Sequence, residues 1–298
     1  MNILLKKRSV FLYFLAFIFI PVNLAFAQLS FRIDPARLRI AVAPGGTKSG
    51  TIKVYTQSAQ SLKVKVYLED WDYADQTGTR AFHPAGTTPL SCANWISLSP
   101  SEFIIPAYGV GQLNYTIKAP VGIEGGHFAV MFFETEPIAA TIRGQTEQVQ
   151  ASTTLNIRLG ALFYVEAQNN TKRTISLSKF AITDAPKNKG IMISSDFQNV
   201  GNTDITAGGT FYIMNSKGKI FARGNFNDVY TLPGDKAKLT ALLKEPLASG
   251  KYSIVISLDL GKAIETATAH KARGPIVTKE AEIEIGESGE VLRVGDFK

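Results

Sequence analysis

Gly125-Gly126-His127-Phe128-Ala129-Val130-Met131-Phe132-Phe133-Glu134 and, further on, Leu155-Asn156-Ile157-Arg158-Leu159-Gly160-Ala161-Leu162-Phe163-Tyr164-Val165 are the segments that decide the fold. The first is a short apolar and aromatic run of strand formers. The second alternates apolar with polar residues and then turns continuously apolar. Periodicity of two followed by a buried run is the pattern of strands that cover a core. Joined by a polar loop of about twenty residues, the pair reads as the last hairpin of an immunoglobulin-like sandwich.

Working outward, strand signals recur along the whole chain, and no stretch has the period of an amphipathic helix. Phe31 to Val42 reads as a first strand interrupted by Pro35. Gly50 to Tyr55, Leu62 to Trp71, Trp95 to Leu98, Glu102 to Ile105 and Gln112 to Lys118 follow, separated by turn chemistry at Ala43-Pro44-Gly45-Gly46, Gln76-Thr77-Gly78 and Tyr108-Gly109. Ala167 to Arg173 is polar and reads as a linker. Beyond it the pattern restarts with Thr174 to Ile182, Gly190 to Phe197, Gly209 to Asn215, Lys219 to Phe221, Ala237 to Leu243, Lys251 to Leu260 and Pro275 to Ile285. The expected fold is all-β, two immunoglobulin-like β-sandwich domains in tandem. The expected division is 1–27 leader, 28–168 first domain and 169–298 second domain with a polar tail.

Lys6, Lys7 and Arg8, an apolar stretch from Ser9 to Phe19, and Ala25-Phe26-Ala27 have the three parts of a secretory signal peptide. Cleavage after Ala27 leaves 271 of the 298 residues, and it removes three of the positive charges, so that a formal +7 becomes +4. No later segment has the length and apolarity of a membrane span. The expected location is therefore periplasmic, without a transmembrane anchor after cleavage. The small charge surplus, scattered and without a basic block, gives no reason to expect nucleic acid as a partner. Cys92 is the only cysteine, so no disulfide forms within the chain, and its place beside Ala93 and near Trp95 predicts burial.

Ile33-Asp34-Pro35-Ala36-Arg37, the strand end Phe132-Phe133-Glu134-Thr135-Glu136-Pro137, and Arg158 to Tyr164 with its Leu-Phe-Tyr resemble the periplasmic pilus assembly chaperones, the PapD-like two-domain proteins. The resemblance covers the first domain; in the second it rests on architecture. It implies a two-lobed molecule whose cleft holds the C-terminus of an unfolded pilus subunit, without nucleotide or other cofactor. An outer-membrane usher is a further partner that it implies. In that family a cleft arginine near the start of the first strand and a lysine on the last strand bind the client's terminal carboxylate. Arg37 stands at the arginine position. If Leu-Phe-Tyr is aligned without a gap, Leu159 falls at the lysine position, and Arg158 takes it only through a bulge or a shifted register. The Thr51 to Leu68 hairpin, Trp95 to Pro100 and Pro120 to Gly126 also look like Gram-positive cell-surface proteins that bind WxL-type proteins. That second resemblance implies a non-catalytic envelope module binding a surface protein or glycan.

The candidate binding residues are Arg37, Leu155, Ile157, Arg158 and Leu159. On an extended segment Leu155, Ile157 and Leu159 share one face and Asn156 and Arg158 the other. Such a strand either donates its alternating side chains to a client that lacks a strand or feeds its own core. Arg37 suits a carboxylate, whereas Arg39, on the same side, reads as a solvated charge on an edge strand. Asp70, Asp72, Asp75 and Gly78 have oxygen donors for calcium, yet their spacing fits no standard loop, and plain turn chemistry explains them. His83, His127 and His270 are far apart and stand in no ligand motif. Gly125-Gly126 reads as a bend that lets another backbone come close. No catalytic or metal-binding residue and no cofactor are expected; the function class is protein binding.

Overall fold

Pro35 has no N–H to give to a ladder, and at that point the first extended segment changes sheets. Strand β1 (Phe31–Asp34) pairs antiparallel with β3 (Thr47–Thr56), whereas β2 (Arg37–Val42) crosses to the opposite sheet. The computed structural model describes residues 31–143, 150–185, 190–261 and 274–298, the side chains of 138–155 excepted. The expected leader, and with it the cleavage site, lies outside the described residues.

The first sandwich is completed by β4 (Leu62–Tyr73), β5 (Arg80–Pro84), β6 (Ile96–Ser99), β7 (Glu102–Ile105), β8 (Val110–Lys118), β9 (Gly126–Thr135) and β12 (Arg158–Ala167). One sheet has the order β1-β3-β8-β6 and the other β2-β12-β9-β4-β5, with β7 also on β4. This is the immunoglobulin arrangement, in which the last strand lies between the penultimate one and a switched first strand. Alternation sets the two faces of β12. Leu159, Ala161, Phe163, Val165 and Ala167 point into a core shared with Leu38, Ile52, Val64, Ile117 and Phe133. Gly160, Leu162, Tyr164 and Glu166 take the other face. The predicted hairpin of β9 and β12 is present, in unbroken register from Arg158 opposite Glu134 to Glu166 opposite Gly126.

Its connection is not a plain loop. Strands β10 (Ile138–Arg143) and β11 (Gln150–Leu155) pair as a separate two-stranded ribbon. Most of it falls within the stretch that the sequence reads as a polar loop. Strand β5, of mixed composition and ending in Pro84, is likewise unmarked in the sequence pattern.

Cys92 is fully buried, as expected. Burial first, then the nearby Asp70 carboxylate, pushes its thiol well above the ordinary range. A thiol reagent should therefore leave the native protein unmodified and titrate a single thiol once the chain is unfolded in urea.

The second sandwich packs β13 (Ile175–Asp184), β14 (Ile191–Asn199) and β18 (Lys236–Leu243) against β16 (Ile220–Asn225), β15 (Ile205–Asn215), β19 (Gly250–Asp259), β20 (Ile276–Ile285) and β21 (Val291–Val294), with β17 (Val229–Thr231) on the end of β15. Tyr252, Ile254, Ile256 and Leu258 all enter its core, as their alternation predicts. The polar C-terminal stretch is part of the sheet. Strand β21 pairs with β20, Lys298 exchanges backbone hydrogen bonds with Glu280, and Phe297 stacks on Phe180.

The segment read as a linker is held on both sides. The Gly125 N–H donates to Asn170 O, and the Lys172 N–H donates to Asn202 Oδ1. Gly125 has a φ of +69°, in the left-handed range that favours glycine, and a Cβ there would lie 1.9 Å from Asn202 O. On Gly126 it would lie 2.3 Å from Thr203 Oγ1. The glycine pair thus admits the backbone of the second sandwich, which is the close approach the sequence predicts.

Candidate protein-binding edge

Strand β12 is paired along its whole length with β9, but only its second half has a neighbour on the other side. Pairing with β2 starts at Leu162 opposite Arg37 and runs to Ala167 opposite Val42. The first rung on that side is the Leu162 N–H donating to Ala36 O at 2.9 Å. At the opposite end the Thr135 N–H donates to Ile157 O, so residue 157 faces β9. Backbone groups alternate along a strand. Arg158 and Gly160 therefore turn their N–H and C=O groups the same way as Leu162, away from β9. Among the described residues no strand pairs with them. The edge is open over Arg158–Ala161 and closed beyond.

The five predicted binding residues divide around this opening. Arg37 is half-buried at its closed end, beside Leu162, with its guanidinium 6.0 Å from the centre of the Tyr164 ring. Among the described residues it makes no ion pair. Leu159 lies on the open stretch and packs its side chain on the core of its own sandwich. Ile157 is half-buried just before the strand begins. Leu155 ends β11 opposite Ile138, and the facing of its side chain lies outside the described residues. The single extended segment expected from Leu155 onward is thus divided at Asn156–Ile157. Thr135 holds the break, since its Oγ1 accepts the Ile157 N–H at 3.1 Å, and Asn156 Nδ2 donates to Glu134 Oε1 at 2.7 Å.

Arg158 lies on the opposite face from Leu159 and is already engaged. Its guanidinium lies 3.5 Å from the Phe132 ring centre and donates to Glu69 Oε1 at 2.6 Å. The bulge that would turn it toward a client carboxylate is not there, because the register with β9 is unbroken. Glu134 accepts from the Tyr67 hydroxyl at 2.7 Å, and this bond, then that of Asn156, holds its carboxyl below the usual range. These two carboxylates fix side chains at the rim.

Arg39 departs most from expectation. It is not solvated: its side chain is 6% exposed and forks onto Asp204 Oδ1 and Oδ2 at 2.8 and 2.7 Å. Glu166 accepts from both Arg39 and Arg173, and Arg173 lies 3.7 Å from Asp204. Burial alone would raise the Asp204 carboxyl, but the bonds and charge of Arg39 hold it below its ordinary value. This network joins β2 and β12 to the segment entering β15. Because Asp204 lies 165 residues from Arg39 in the chain, no local pattern could reveal it.

Asp70 and Asp75 serve separate turns. Asp70, fully buried, accepts from the Thr87 and Thr88 N–H groups and from Ser91 Oγ. Asp75 accepts from the Thr77 and Thr79 N–H groups. Among the described residues no group of three or more His, Cys, Asp or Glu could hold a metal ion. His127 packs its ring 4.4 Å from that of Trp95, and burial lowers its pKa. No helix among the described residues is long and apolar enough to cross a membrane.

No protein-family model matches the chain, and no curated protein matches it in sequence. Among solved structures it is similar to the class 5 fimbriae chaperone CfaA, with 16% identity over 84% of this chain and 98% of that one and a TM-score of 0.46. It is similar to the E. coli chaperone DraB, with 11% identity over 84% and 95% and a TM-score of 0.43. A third similarity is to a structure of the Salmonella enterica SafA pilin in complex with the SafB chaperone, with 10% identity over 84% and 95% and a TM-score of 0.44.

Proposed function

We propose that this protein is a periplasmic chaperone that binds pilus-type or other secreted subunits by β-strand addition, its two domains dividing at residues 168 and 169. The observation that carries the reading is the half-open edge of β12. A bare strand edge in a folded protein invites association, and it persists where pairing with another chain is its use. Here the opening ends at β2, and at that end stands Arg37, which lacks an acidic partner among the described residues. A client strand laid along Arg158–Ala161 has to stop or turn aside at Leu162. A chain end carrying a carboxylate fits that stop, because guanidinium binds carboxylate through two parallel hydrogen bonds. Main-chain bonds would supply affinity, while Ile157 and Leu159 would meet the client's apolar side chains. An outer-membrane usher that collects the loaded complex belongs to the same proposal.

The test uses a synthetic peptide of alternating valine and threonine with a free C-terminus, together with pull-down from periplasmic extract. Arg37→Ala should weaken peptide binding by about tenfold to a hundredfold, the value of a charge-assisted hydrogen bond. Amidating the peptide should weaken it by a similar factor in the parent and leave the variant unaffected. Ile157→Asp should abolish retention of subunits. If both variants hold peptide and subunit as the parent does, strand addition at this edge is wrong. Retention on cell-wall material by both variants would then favour the envelope module.

A further inference from the structure

The acidic tip between β4 and β5 has no part in that binding edge, yet it reaches strands β17 and β18 of the second sandwich. Asp75 builds the turn. Its Oδ1 accepts from Thr77 N–H at 2.8 Å, Thr77 Oγ1 at 2.6 Å and Thr79 N–H at 3.3 Å, and the Ala74 N–H donates to Thr79 O at 2.8 Å. A turn held in this way presents Gln76 outward. The Gln76 carbonyl accepts the Tyr230 N–H at 3.0 Å, at β17. Its side-chain amide meets the backbone of Lys238 on β18: Oε1 accepts the Lys238 N–H at 2.7 Å, and Nε2 donates to Lys238 O at 3.4 Å. A carboxamide has the donor and acceptor of a peptide unit, so Gln76 stands where a neighbouring strand would.

Strand β18 needs such a cover. It is paired with β14 on one side only. On the other side, beyond Lys238, Asn227 Oδ1 accepts the Thr240 N–H, and the Asn227 N–H donates to Thr240 O at 2.9 Å. Two side-chain amides, one from each sandwich, therefore satisfy this edge in place of a strand. Aromatic packing backs the contact. Tyr73 lies 5.7 Å from Tyr230 between ring centres, and Leu232 packs with Trp71, Phe128 and Tyr164. A Cβ on Gly78, at φ +95°, would come within 3.0 Å of the Tyr230 ring.

We infer that the β4–β5 turn is a clasp that fixes the angle between the two sandwiches and covers the free edge of β18, with Gln76 as its positioning residue. The clasp acts by geometry: it adds an attachment on β17 and β18 to that of the Arg39–Asp204 network at the entry to β15, and attachments on different strands suppress rotation that one would permit. It also keeps an edge strand from pairing with other chains.

The test is made on the full chain without any client, so its outcome is independent of the binding reading. In Gln76→Ala the Lys238 amide should exchange hydrogen at least about tenfold faster than in the parent, while the Thr240 amide, held by Asn227, keeps its rate. Spin labels at Lys53→Cys and Thr278→Cys, both exposed, report the distance between the sandwiches; buried Cys92 stays unlabelled. The distance distribution should widen in Gln76→Ala and widen further in Gln76→Ala/Tyr230→Ala, with an unchanged far-ultraviolet circular dichroism spectrum. An unchanged distribution in the double variant overturns the inference, whatever happens at Lys238.

Discussion

Asp204→Ala should lower the unfolding free energy by about 3–5 kcal/mol, the effect of removing one partner from a buried ion pair. The carboxylate it removes is 5% exposed and takes both arms of the Arg39 fork. Without it the guanidinium is left with Glu166, shared with Arg173, in a site already desolvated. Urea unfolding followed by far-ultraviolet circular dichroism reads the loss. Swapping Arg39 and Asp204 together for apolar residues of similar volume should be far milder than either single change, because no charge then remains stranded. The same pair sets a pH dependence. The folded Asp204 carboxyl titrates below its ordinary value of 3.8. Its contribution is therefore complete above that value and is lost as pH falls through the lower, folded one. Parent stability should fall on acidification in that window, and Asp204→Ala should remove this part of the slope.

Trp71→Ala should cost about 3–5 kcal/mol, the range for a large aromatic side chain cut from a packed interior. Trp71 is fully buried, donates its indole N–H to Ala129 O at 3.0 Å, and meets Tyr73, Phe128 and Tyr164 edge to face. The truncation therefore leaves a cavity and removes the indole hydrogen bond to Ala129 O. Because Leu232 of the second sandwich closes this cluster, the change should also loosen the junction. Denaturant titration should show a lower midpoint for the first sandwich and a weaker coupling of its transition to that of the second. Trp71→Phe, which keeps a ring, should recover most of the loss.

How far these features were legible in the sequence depends on the range over which they are encoded. Strands are written locally: β9 lies where its apolar run places it, and β19 and the body of β12 lie where alternation does. The close approach at Gly125-Gly126 is also local, since only glycine tolerates what comes beside it. The ribbon of β10 and β11 lies largely inside the stretch read as a loop. The proposed binding edge is half legible. Arg37 and the alternation from Ile157 stand in the sequence, but where β2 stops covering β12 is a matter of register between segments more than a hundred residues apart. The engagement of Arg158 is hidden for a similar reason. Its engagement with Glu69 and Phe132 follows from which residues oppose one another across three strands. Arg39 and Gln76 take their meaning from partners in the other sandwich, and neither is marked by its own surroundings in sequence.

The crossing of the first segment between sheets at Pro35 has one more consequence. Strand β2 borrows the same row of β12 groups that a guest would use, and it borrows them in single file starting from Leu162. An intruder that outgrows the vacant stretch could advance only by unzipping β2 one rung at a time, and each rung surrendered by the host would reappear in the guest. The backbone bonds would balance in such an exchange, but β2 also carries the buried Leu38 and the Arg39 ion pairs, so the exchange runs uphill and the anchorage of β2 sets the length of the groove.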